Sequence, residues 1–220
     1  IFSSSGYDTL RINGHLSESL RIVVGNFTNQ NLNLTWDGFN RIELIDAARN
    51  LTLTGATDGA AISLGDVSLG IVAQSLNIPV DVTADDFEVN VRDSLTLAHQ
   101  LSVHELDLRV FGNQQGLTIT QPISADTVQL VAPDGTVSLP GGTQLTGTSA
   151  VIKARQLATS SGRLTLSLDT LTLLVRSTSA TDALITNDRD LLLTNKTDAD
   201  HLVTLGTGIA AVFAGITWIA

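Results

Sequence analysis

A chain of 220 residues is long enough to bury a sizeable core, as one large domain or two small ones. Apolar residues make up 43 % but aromatics only 4 %, so that core has to be built from thin layers of Leu, Val, Ile and Ala. The absence of Cys and Met removes disulfides, thiolate metal sites and a cysteine nucleophile, and the net charge of −10 argues against nucleic-acid binding through a basic surface.

Read in chain order, one pattern recurs: apolar, any residue, apolar. It appears as "TLRI" at 9, "SLRIVV" at 19, "LNLTW" at 32, "RIELI" at 41, "LTLTG" at 51 and "AISLG" at 61. It continues as "SLNIPVDV" at 75, "FEVNV" at 87, "SLTL" at 94, "LSV" at 101, "LDLRV" at 106 and "LTIT" at 117. The last members are "VQLVA" at 128, "VSL" at 137, "RLTLSL" at 163, "LTLLV" at 171 and "DLLLTN" at 190. Period-two alternation over so few residues predicts short, half-buried strands, and the Gly, Asn, Asp, Ser and Thr between them suit corners. "IDAARN" (45–50) and "AVIKARQLATS" (150–160) come nearest to a helical pattern, without a capping box, and are not expected to be helices.

Two all-β architectures follow from this pattern. A β-sandwich needs hairpins, and only "PDGT" (133–136) and "TDGA" (57–60) look like tight turns. A parallel β-helix needs none, because each strand pairs with its equivalent one coil above. The second is therefore expected. With about twenty residues per coil the chain would form roughly ten coils, a rod on the order of 50 Å long at the strand spacing of about 4.8 Å.

Stretches such as "ARNLTLTGATDGAAISLGDVSL" (48–69), "GLTITQPISADTVQLVAPDGTVSL" (116–139) and "SGRLTLSLDTLTLLV" (161–175) resemble the shafts of filamentous-haemagglutinin-like exoproteins. The resemblance covers most of residues 9–205. It implies a right-handed β-helix from a large secreted bacterial adhesin, of the kind exported by two-partner secretion. That family's secretion module carries an Asn-Pro-Asn motif that this sequence lacks, so the resemblance is to shaft. Shaft repeats share no functional residues, and none is carried over.

Candidate chemistry is sparse. Four sequons, at Asn26, Asn33, Asn50 and Asn195, are potential glycosylation sites, although Asn also suits solenoid corners. The carboxylates Asp85, Asp86 and Glu88, with Asp188 and Asp190, and Asp198 and Asp200, could pair as in glycoside hydrolases. The shortage of aromatic sugar platforms makes solvated charge the expected role instead, with no catalysis. "TADDFE" (83–88) and "NKTDAD" (195–200) would hold calcium only adventitiously; no resident cofactor is expected. His15, His99, His104 and His201 are expected at the surface, with His99 and His104 at different corners and no third zinc ligand evident.

Residues 1–205 are thus expected to form the solenoid and 206–220 an apolar terminal segment, too short to cross a bilayer as a helix. Ile209, Val212, Phe213, Ile216 and Trp218 would cover the last coil or contact another copy. Starting at Ile1 without Met or a leader, the sequence reads as a processed or excised piece. The expected function is a structural or adhesive module of an extracellular or cell-surface fibre, whose partners are other copies of itself and cell-surface glycans or proteins. The alternatives are a carbohydrate-active or tailspike-like β-helix, and a pilus-like sandwich with donor-strand exchange.

Overall fold

The computed structural model describes residues 7–14, 16, 19–23, 25–28, 33–57, 59–140, 144–159, 163–175, 184–188, 190–194, 211–212 and 216–218. Among them are 21 strands, joined in one continuous sheet, and no helix. The chain winds into a β-solenoid of parallel stacked coils, about six turns long.

Each regular coil has three faces. Face A is the column Leu69, Phe87, Leu106, Val128, Ala150, Leu171 and Leu193, paired rung to rung in parallel register. Face B carries Leu95, Leu117, Val137 and Leu157 in the same way. Face C carries Ile62, Val82, Leu101, Ile123, Leu145 and Leu166. These residues and their second teeth fill the interior; Leu97, Leu101, Leu106 and Leu108 are all at most 2 % exposed. No wide centre exists for rings to fill, and Phe87 is the one aromatic in these three columns.

The pairing also explains why two-tooth strands suffice. A strand of three residues is too short to hold a hairpin partner, but here its backbone bonds run to the coils above and below. Leu117–Ile119, for example, pairs with Leu95–Leu97 on one side and with Val137–Ser138 on the other.

Coil length averages near twenty residues as expected, ranging from 18 to 22 between Leu69 and Leu193. The expectation of roughly ten coils is corrected to about six regular turns. Two longer turns precede the regular ones, linking Leu10 to Ile42 and Ile42 to Leu69. The first of them contains an antiparallel meander of Ser19–Val23, Asn26–Thr28 and Asn33–Thr35. Its hairpin turns at Gly25, whose φ of +77° lies where glycine is favoured. Ser19–Arg21 remains paired in parallel with Thr52–Thr54, so the meander adds antiparallel edges to the first coil. It also buries Phe27 and brings Trp36 edge-on to Phe39, 6.5 Å between ring centres.

The two expected tight turns are not hairpins between sandwich strands. "PDGT" lies inside the parallel strand Thr127–Leu139, where Pro133, Asp134 and Gly135 bulge opposite Arg155. There Gly135 passes so close to the Gln115 carbonyl that a Cβ would sit 1.6 Å from its oxygen. "IDAARN" makes the equivalent bulge in Arg41–Thr54, and residues 150–159 lie in the strand Ser149–Thr159. Parallel coils exclude the sandwich, and with it the fold on which the pilus-like reading stood.

The last described strands, Ala211–Val212 and Ile216–Trp218, pair in parallel with Ile185–Thr186 and Leu191–Leu193. At these two strands the apolar terminal segment continues the ladder. Ile209 and Phe213 lie outside the described residues. No described helix is long and apolar enough to cross a membrane.

Candidate functional site

The three corners differ in regularity, and this places the site. Between faces A and B the chain varies freely, from the short Arg92–Ser94 to the Phe111–Gly116 loop, where Phe111 is 53 % exposed. Between faces C and A the corner takes two outward residues in five successive coils, after a longer corner at Gly65–Ser68 in the coil before them. They are Asp85 and Asp86, His104 and Glu105, Asp126 and Thr127, Thr148 and Ser149, and Asp169 and Thr170. A constant corner stacks equivalent residues, so Asp85, His104, Asp126, Thr148 and Asp169 form one vertical column. Backbone bonds tie its rungs: Asp126 N–H donates to the His104 carbonyl at 2.8 Å, and Thr148 N–H to that of Asp126 at 2.9 Å.

Beside this column, face C presents one outward residue per coil. These are Ser63, Thr83, Ser102, Ser124, Thr146 and Ser167, a file of hydroxyls at the strand spacing. The inward tooth after each hydroxyl is Leu64 at one end and Leu168 at the other. Between them it shrinks to Ala84, Val103, Ala125 and Gly147. Loss of side-chain volume at four successive levels indents the prism into a groove of about 370 Å³. Its walls are the hydroxyls of Thr83, Ser102, Ser124 and Thr146, and its rim carries His104 and Asp126. No aromatic side chain lines it.

Along the rim, His104 Nε2 lies 3.1 Å from Asp126 Oδ2, and Nδ1 faces Asp86 Oδ1 at 3.9 Å. Asp86 is steadied from below by the Ser68 hydroxyl, which donates to Oδ2 at 3.0 Å. One ligand atom each from Asp85, Asp86 and His104 lie within 4.8 Å of one another. His99 is at a different corner, as expected, and sits 3.6 Å from Asp81. The carboxylates nearest His104 from the coil below are those of Asp85 and Asp86.

This convergence has a signal in the sequence. The octets "VTADDFEV" (82–89), "LSVHELDL" (101–108), "ISADTVQL" (123–130), "LTGTSAVI" (145–152) and "LSLDTLTL" (166–173) share one apolar frame. Aligned on it, His104 falls directly between Asp85 and Asp126. Reading pairs of teeth, rather than octets, hides it.

The remaining candidates disperse. Glu88 belongs to an ion-pair chain on face A, not to a catalytic pair. Its Oε2 accepts from Arg41 Nη2 at 2.6 Å, across Gly70, while Arg41 Nε also donates to Glu43 Oε1 at 3.0 Å. Burial alone would lower the Arg41 guanidinium, but the bonds to Glu43 and Glu88 outweigh it and hold it above its ordinary value. The hydrogen bond from Arg11 holds the Glu43 carboxyl below the usual glutamate range, against partial burial and with Arg41 adding to the effect. Arg109 is likewise raised, chiefly by its hydrogen bond to Asp107. Asp188 and Asp190 are exposed.

Of the sequons, Asn50 is exposed on a strand and accepts from the Ser75 hydroxyl at 2.8 Å. Asn26 Oδ1 accepts from the hydroxyl of its own sequon threonine, Thr28, at 3.0 Å. Asn33 lies in a strand of the meander. Asn195, Asp198, Asp200, His15 and His201 fall outside the described residues.

The fold and site together define a β-solenoid with a polar, hydroxyl-lined groove. Compared with protein-family models, curated proteins and solved structures, the chain finds no match in any of the three.

Proposed function

We propose that this chain is a non-catalytic structural and adhesive module of an extracellular or cell-surface fibre, similar to the shafts of filamentous-haemagglutinin-like exoproteins. Its coils stack into a rod whose ends meet other copies of the chain, and the face C groove contacts hydroxyl-rich ligands such as cell-surface glycans. The observation that carries this reading is the groove itself. It offers a file of hydroxyls at the regular strand spacing, on a rigid wall, without an aromatic platform. Hydroxyls exchange hydrogen bonds with sugar hydroxyls in either sense, because each both donates and accepts. The carboxylates on the rim disfavour anionic ligands and favour neutral ones.

The test is binding to an array of neutral and acidic glycans by wild type and by Ser102→Leu/Ser124→Leu, which fills the groove without changing its charge. Binding of neutral glycans, lost in the variant, is expected. An array without binders, or binding untouched by filling the groove, would remove the assignment.

A second reading, a carbohydrate-cleaving β-helix, is favoured by the carboxylates of Asp86 and Asp126 on either side of His104, with Asp85 close by, next to the groove. It requires glycan hydrolysis that disappears on replacing one of these carboxylates by its amide. No cleavage is expected.

A further inference from the structure

We infer that Asp85, Asp86 and His104 form a binding site for a zinc-class divalent metal ion at the rim of the face C groove, with Asp126 orienting the histidine. This goes beyond the adhesive reading and does not depend on it, since its test uses the metal alone.

The argument starts from backbone rigidity. Asp85 and Asp86 sit on one coil and His104 on the next, each at a corner of constant length and clamped by parallel pairing on its flanks. The separation of the three groups is therefore set by the ladder and not by a mobile loop. Zinc takes nitrogen and carboxylate oxygen ligands at about 2.0–2.2 Å, which brings ligand atoms a little over 3 Å from each other. The three ligand atoms already lie within 4.8 Å, and the His104 Nδ1 to Asp86 Oδ1 gap is 3.9 Å. Small side-chain rotations close the difference at a surface where none of the three is fully buried.

The neighbours are arranged to support an ion. Asp126 Oδ2, 3.1 Å from Nε2, favours the proton on that nitrogen and leaves the Nδ1 lone pair facing Asp86. One Asp86 oxygen is engaged by Ser68, and the other faces the histidine. Among the described residues, the Asp85 carboxylate has no hydrogen-bond partner. The adjoining groove gives water or a ligand hydroxyl access to a remaining coordination position. An imidazole with two carboxylates selects zinc-like ions over calcium, which wants six to eight oxygen ligands. Two carboxylates and a neutral imidazole also balance the charge of a divalent cation.

Isothermal titration of the untagged protein with zinc chloride tests the site. One ion per chain is expected for wild type and for the control His99→Ala, which removes the histidine–aspartate pair with Asp81. His104→Ala and Asp86→Asn should lose binding, and Asp126→Asn should weaken it by about 10- to 100-fold. His104→Gln, which keeps the volume without an imidazole, should bind no better than His104→Ala while keeping the wild-type circular dichroism spectrum. Zinc binding that survives in His104→Gln overturns the assignment. So does the absence of binding to wild type, or calcium competing for the site at equal concentration.

Discussion

Leu108→Ala tests the inside–outside register at its centre. Leu108 is 0 % exposed and stands in the face A column between Val89 below and Leu130 above. Removing three carbons forfeits about 2.4 kcal/mol of transfer energy, at about 0.8 kcal/mol each. The neighbouring coils are held by backbone bonds on both sides and collapse into the gap only slightly, so the cavity adds to the loss. The total expected is about 3–4 kcal/mol, within the range for buried Leu→Ala changes and a large part of the stability of an ordinary domain. Ser102→Ala, at an exposed outward position, should change stability by no more than about 0.5 kcal/mol. Urea unfolding followed by far-UV circular dichroism measures both, with the slope checked because long stacks depart from two-state behaviour. A cost below about 1 kcal/mol for Leu108→Ala, or a larger cost for Ser102→Ala, would refute the register. Leu97→Asp and Leu108→Asp place a charge in the same layers and should unfold the module outright.

Three further outcomes are expected. Because Glu43 titrates below its ordinary value of about 4.5, its pairing contributes stability that is present above that pH and lost as pH falls through the lower folded value. Glu43→Gln should remove that part of the acid sensitivity, and a pH–stability curve unchanged by the substitution would count against the Arg11–Glu43–Arg41 chain. Gly135→Ala should destabilise by at least about 2 kcal/mol in urea unfolding, since its Cβ would overlap the Gln115 carbonyl oxygen, whereas exposed Asp134→Ala should be nearly neutral. Deleting residues 206–220 should leave most of the β-signal intact, since coils depend mainly on their nearest neighbours, and should yield monomers in sedimentation if that segment joins copies. Unfolding on deletion would make it an internal cap instead.

Strand identity and the choice of inward residues were legible in the sequence, because burial on one side of a strand imposes a period of two that no other structure shares. Leu95/Leu97, Leu101/Val103 and Leu106/Leu108 all point inward as that period requires. Parallel winding was legible as well, from the scarcity of hairpin turns between teeth. The meander at 19–35 was not, since its strands show the same alternation and no Asn-Gly or Asp-Gly pair stands before the turn at Gly25. Nor was the bulge at 133–136 distinguishable from a turn, because Pro, Asp and Gly suit both.

The site depended wholly on the stack. His104 lies 18 residues from Asp86 and 22 from Asp126, and what unites them is the length of every intervening corner. Corner residues are polar whatever their length, so local composition leaves that length open. Backbone pairing between coils settles it: the apolar columns must coincide to bury their layers, and that condition alone brings the histidine between the carboxylates.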